Sequence, residues 1–145
     1  MNRRDVFRTL VGFVMASLLY FGGMDRSEAA QKAAPDKYAH CAKACNDCLK
    51  ACHACSQHCA SMIAAGMKEH VKSKSLSDDC ADICAAAAKI TSRHGPLSAA
   101  ICEACAKACD ACGAECGKSP DMKPMKVCAQ SCASCATACR EMLKP

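Results

Sequence analysis

Cys41–Cys59 reads CAKACNDCLKACHACSQHC, with six cysteines separated by steps of 4, 3, 4, 3 and 4. Alternating steps of three and four are the spacing of the buried seam of a bundled helix. At about 100° per residue, Cys41, Cys45, Cys48, Cys52, Cys55 and Cys59 fall within an arc of about 80°. Lys43, Asn46, Lys50, His53, Ser56 and Gln57 lie off that stripe. The thiols therefore face inward and the polar residues face water. Alanine between the cysteines favours helix and lets neighbouring helices approach closely.

The pattern recurs twice. Cys102, Cys105, Cys109, Cys112 and Cys116 step by 3, 4, 3 and 4, and Cys128, Cys132, Cys135 and Cys139 step by 4, 3 and 4. A weaker segment carries Cys80 and Cys84, with Ile83, Ala87, Ile90 and Thr91 on roughly the same side. Asp36 and Ser77 are suited to cap helices, Gly66 and Gly95-Pro96 to end or separate them, and Pro124 to open one. These signals predict helices near 37–65, 77–93, 97–117 and 124–143. Short connections make neighbours antiparallel. The expected fold is all-α: an antiparallel up-down-up-down four-helix bundle with a cysteine-lined core. Likeness among the first, third and fourth segments suggests a duplicated unit.

Composition bounds the rest. The 145 residues include 17 Cys, 8 Met, 5 His and no Trp. A formal net charge of +5 is too mild and too scattered to imply nucleic acid. The chain opens MNRRDVFRTL, with Arg3 and Arg4 ahead of a short apolar run from Leu10 to Phe21, then Ser27-Glu28-Ala29. This reads as a twin-arginine signal, residues 1–29, cut after Ala29 and leaving 30–145 as the working domain. It predicts export to the periplasm or another extracytoplasmic space, with no stable membrane insertion after cleavage. The competing reading is an uncleaved anchor, for which the run is short. Beyond residue 29, Tyr38 is the one aromatic side chain among Phe, Trp and Tyr. Alanine and cysteine must therefore fill the core, the protonated thiol packing as a small hydrophobe.

Four chemistries use many cysteines. Disulfides within one helix are strained, because i,i+3 and i,i+4 Cβ atoms stand about 5–6 Å apart and a disulfide wants about 3.5–4.5 Å. The odd total also leaves a thiol over. Iron–sulfur clusters want a run such as C-x₂-C-x₂-C-x₃-C-P, which this chain lacks. Zinc wants closed groups of four thiolates, and a continuous stripe offers no natural groups of four. Each such group would also carry net negative charge into an almost uncharged core. Two-coordinate Cu(I) fits better: thiolates and thioethers select it. One copper per bridging thiolate leaves the filled core near neutral. Met62 follows Cys59 by three residues and Met125 precedes Cys128 by three. In an antiparallel bundle Met62, Met122 and Met125 share one end, with Met67 nearby. That end is the expected mouth for copper. Met142 and Tyr38 fall at the other end as a plug. His53 is expected on the wet face, and His40, His58, His70 and His94 at the surface rather than as ligands.

These CxxxCxxC rows resemble the bacterial copper storage proteins, in particular an exported branch. The resemblance covers the chain beyond the signal. It implies a four-helix bundle, often a homotetramer, holding many Cu(I) ions for later supply to a copper enzyme. Its partners would be copper ions and a copper chaperone or copper-enzyme recipient. The alternative is a metallothionein-like buffer for copper or zinc. An enzyme is not expected: no lone reactive CxxC lies on a βαβ pattern and no nucleophile has a His/Asp partner.

Overall fold

The computed structural model describes residues 36–145. The expected signal segment, 1–29, lies outside the described residues. Four α-helices follow one another: α1, Lys37–Ala64; α2, Val71–Ser92; α3, Ser98–Cys116; and α4, Lys123–Met142, with a 3₁₀ turn at Lys68–His70 before α2. Each helix packs on two others, α1 on α2 and α4, and α3 on α2 and α4. This is a square bundle, and short links make successive helices antiparallel. No helix among the described residues is long and apolar enough to cross a membrane.

The ends of the helices follow local chemistry. The Asp36 carboxylate accepts from the Tyr38 backbone N–H at 3.0 Å, satisfying a free donor at the start of α1. Gly66 stops the first helical segment with φ +95°, a left-handed value that other side chains resist. Pro124 stands in the first turn of α4, where its missing N–H costs nothing.

The second helix departs from expectation. It begins at Val71 rather than Ser77, so Ser77 caps nothing. The physical reason is its place on the inner face: Ser77 is fully buried, as are its helix-mates Cys80, Cys84, Ala87 and Thr91. With Ser73, these residues step 4, 3, 4, 3 and 4, the spacing of the six cysteines of α1. α2 thus carries the same six-position stripe, with four positions held by serine, alanine and threonine. Ser98 extends the α3 stripe to six positions, and Met125 and Met142 extend that of α4. Every cysteine of the chain falls on one of these four stripes.

Small residues let the helices close on this core. Ala42, Ala51, Ala81, Ala88, Ala106 and Ala136 are buried beside the cysteines. A Cβ added at Gly113 would meet Cys132 Cβ at 3.1 Å, so α3 and α4 touch there almost backbone to backbone. The rim is tied by polar pairs. Ser56 donates to Asp78 at 2.5 Å, linking α1 to α2, and Lys72 pairs with Glu115 at 3.4 Å, linking α2 to α3. Arg140 pairs with Asp110 across α4 and α3. Ser56, expected on the wet face, is buried because α2 covers it.

Candidate metal centre

All seventeen cysteines are free thiols, and all are buried. The square bundle turns four stripes into a column of sulfur. At one end Cys41 Sγ lies 3.5 Å from Cys102 Sγ and 3.7 Å from Cys139 Sγ. Cys45 then meets Cys135 at 3.6 Å, Cys139 at 3.7 Å and Cys105 at 3.9 Å. In the middle, α2 contributes. Cys84 lies 3.6 Å from Cys105, and Cys80 lies 3.7 Å from Cys109. Cys48 contacts Cys132 at 3.7 Å and Cys109 at 3.9 Å. Further along, Cys128 sits 3.8 Å from both Cys52 and Cys112. Cys55 reaches Cys116 at 3.6 Å.

The column ends on a thioether. Met125 Sδ lies 3.4 Å from Cys55 Sγ and 3.6 Å from Cys59 Sγ. With those two contacts, one unbroken chain of sulfur–sulfur steps of at most 4.0 Å joins every cysteine.

These distances suit a shared metal cluster. With metal–sulfur bonds of about 2.3 Å, trigonal ligands stand about 4.0 Å apart and linear ones about 4.6 Å. Small χ1 adjustments reach either value from the present spacing. Contrary to the expectation from the stripe alone, groups of four do occur. Cys45, Cys105, Cys135 and Cys139 converge, as do Cys48, Cys80, Cys109 and Cys132, and Cys52, Cys112, Cys128 and Cys132. Four stripes meeting across a square bundle make such groups unavoidable. Yet Cys132 belongs to two of them, and Cys48, Cys109 and Cys135 recur in a further overlapping group. The groups are windows on a continuous ladder rather than closed cages, and sharing of that kind calls for bridging thiolates.

Protonation follows the same connectivity. Burial pushes the Cys59 thiol above its ordinary value. Hydrogen bonds to neighbouring thiols push Cys52, Cys132 and Cys139 up, and burial adds to this. The same bonds draw Cys48, Cys80 and Cys128 down, so contacting sulfurs do not ionise independently. Binding of metal cations then supplies the charge that would otherwise be held by protons.

The remaining expected site residues are placed as follows. Met125 is fully buried within the sulfur column. Met122 is partly buried against the same core, and Met62 is half-buried in the last turn of α1. Met142 is buried at the opposite end, where Tyr38 stacks on His94 with ring centroids 4.4 Å apart. His40, His53 and His94 are exposed. His70 is not a surface residue: it is buried, because the 3₁₀ turn carries it under the start of α2. Sequence reasoning also missed the hydroxyls of the column. Ser77 Oγ stands 3.7 Å from Cys112 Sγ and 3.9 Å from Cys116 Sγ. Their signal was the 4-3-4-3-4 register of α2 itself, visible once serine is read as a thiol-sized residue.

Comparison with known proteins agrees with this geometry. The model of the copper storage protein family matches residues 34–144. An uncharacterised cysteine-rich protein of Bacillus subtilis is 41% identical over 118 residues, covering 80% of this chain and 94% of the relative. The Cu(I)-bound copper storage protein of Bacillus subtilis superposes with a TM-score of 0.67 at 37% identity, over 75% of this chain and 100% of that one. A copper storage protein of Streptomyces lividans, described as cytosolic and seen with five coppers, gives 0.67 at 38% identity, over 74% and 92% of the two chains.

The Streptomyces protein corrects one expectation. Twin-arginine export to the periplasm, expected from the opening residues, does not stand against a relative this similar that is described as cytosolic. The chain belongs to the copper storage protein family, and its cysteine-lined bundle stores Cu(I).

Proposed function

We propose that all seventeen cysteines of the column are copper ligands, and that the four-helix unit within residues 30–145 is the complete store. The observation that carries this reading is the unbroken run of sulfur contacts from Cys41 to Cys59. Each thiolate bridges neighbouring ions, so about one Cu(I) is held per cysteine and the filled core is near neutral. Zinc in separate tetrahedral sites would leave shared residues such as Cys132 oversubscribed.

Copper enters and leaves at the Met125 end. Met125 is the inner thioether there, and Met122 and Met62 are the outer ones. A neutral thioether holds Cu(I) more weakly than a thiolate, which suits transfer rather than retention. At the other end the buried stripe closes with Thr91, Ser98 and Met142, which offer no thiol. The protein acts by holding and releasing ions rather than by turning over a substrate. Association into a homotetramer, and exchange with a copper chaperone or a copper-enzyme recipient, complete the reading.

The test is replacement of Cys128 and Cys132 by Ser in the full chain, followed by anaerobic Cu(I) titration. The reading expects a drop in capacity of about two ions. An unchanged capacity would remove these cysteines from the ligand set.

A further inference from the structure

We infer that Cys41, Cys102 and Cys139 form a three-thiol cup for a trivalent, pyramidal metalloid, with arsenite as the simplest source, at the end of the column away from Met125. The inference goes beyond copper storage, and neither reading depends on the other.

The cup follows from the register of the four stripes. Cys41, Cys102 and Cys139 converge from α1, α3 and α4, and all three are fully buried. The α2 stripe brings no sulfur to them. Its last cysteine, Cys84, stands 3.6 Å from Cys105, one step further in along α3. Beyond Cys84 the stripe continues with Ala87 and Thr91. α2 therefore gives this layer a methyl group where it gives the next one a thiol. Ala87 is fully buried, and the Thr91 hydroxyl donates to the Ala87 carbonyl at 2.7 Å. Three thiols meet, and the fourth wall offers no ligand.

Distance favours a pyramidal centre. Cys41 Sγ lies 3.5 Å from Cys102 Sγ and 3.7 Å from Cys139 Sγ. With bonds to sulfur of about 2.3 Å, a linear ion needs sulfurs about 4.6 Å apart and a trigonal planar one about 4.0 Å. A pyramidal centre with angles of about 95° needs about 3.4 Å. The cup stands nearest to the last value. Such a centre also keeps a lone pair, which needs a side without a fourth donor.

Charge points the same way. One Cu(I) on three unshared thiolates leaves two negative charges in a dry core, whereas a trivalent centre on three thiolates is neutral. Arsenous acid, As(OH)₃, is itself uncharged and enters without stripping water from an ion. Binding is a condensation. Three As–O bonds break and three As–S bonds form. Each thiol proton leaves with a hydroxide as water, and no electrons change hands.

The experiment adds sodium arsenite stepwise to the reduced, metal-free full-length protein under anaerobic conditions. At one equivalent, X-ray absorption at the arsenic edge should show three sulfur neighbours at about 2.3 Å and no oxygen. Anomalous scattering from crystals of the same complex should place the arsenic between Cys41, Cys102 and Cys139. Cys102→Ser should weaken binding of the first equivalent by about tenfold or more, since losing a ligand costs at least as much as losing an outer-shell partner. Cys59→Ser, at the far end, should leave arsenite affinity unchanged. Arsenic that keeps its oxygen neighbours, or that lies in another layer of the column, overturns the cup, as does equal weakening by the two variants. Should Cys102→Ser lose its helical signal, the position of arsenic in the unmodified protein decides alone. A protein that fills with Cu(I) yet leaves arsenite unbound overturns the cup and keeps the storage reading.

Discussion

Cys59 meets the rest of the sulfur column through Met125, whose Sδ lies 3.6 Å from the Cys59 Sγ. The same Sδ lies 3.4 Å from Cys55. A single thioether thus bridges the last thiol of α1 to the other sixteen. An ion arriving at Cys59 has a soft, uncharged neighbour through which to move inward.

Replacement of Met125 by Leu tests that bridge. The swap conserves volume and should cost less than about 1.5 kcal/mol of stability. It removes the sulfur and nothing else. Copper uptake and removal by a chelator should both slow, with capacity kept to within about one ion. Stopped-flow loading under anaerobic conditions measures this. Parent rates in both directions would reduce Met125 to core filler.

Ser77 offers the converse test. Its hydroxyl stands 3.7 Å from Cys112 Sγ and 3.9 Å from Cys116 Sγ, already on the column. Ser77→Cys changes volume little, so the apo protein should keep its stability to within about 1.5 kcal/mol. The new thiol completes a place in the ladder, and capacity should rise by about one Cu(I). Equal capacity in the parent and the variant would show that adjacency to the column is not enough to make a ligand.

How much of this was legible in the sequence depends on which helix is asked. α1, α3 and α4 announce themselves, because cysteine recurring at steps of three and four has one structural meaning. Asp36, Gly66 and Pro124 mark their ends for simple backbone reasons, and the structure uses all three. α2 was misread at its start because serine is ambiguous: it caps helices, and it also packs as a thiol-sized residue in a close-packed core. The structure puts Ser77 to the second use. His70 was misplaced for a related reason, since its burial depends on how the 3₁₀ turn tucks beneath α2 and not on any stripe. The groups of four thiols were invisible in one dimension because they arise from pairing between helices.

The apo protein should lose stability at alkaline pH. Burial raises the Cys59 thiol above its ordinary 9.0. Among the coupled thiols the hydrogen bonds raise Cys52, Cys132 and Cys139 while lowering Cys48, Cys80 and Cys128, but burial acts upward on all six, so the column as a whole holds its protons more tightly than the unfolded chain. A raised folded value means the folded state holds its proton more tightly than the unfolded chain. The stabilisation is full below the unfolded value and is lost as pH climbs towards the folded one. Chemical denaturation of reduced, metal-free protein should therefore show a falling midpoint above about pH 9. The copper-loaded form, its protons already displaced, should lack that decline. A flat apo profile up to pH 11 would contradict the raised thiols.

The central claim is that the bundle holds copper as one continuous thiolate ladder. Anaerobic titration of the reduced protein with Cu(I), against a chromogenic Cu(I) chelator, tests it most directly. The account predicts tight binding of about one Cu(I) per cysteine, with close to one proton released per ion. An end point near four ions per chain, with zinc preferred over copper, would contradict it and replace the ladder with separate tetrahedral sites.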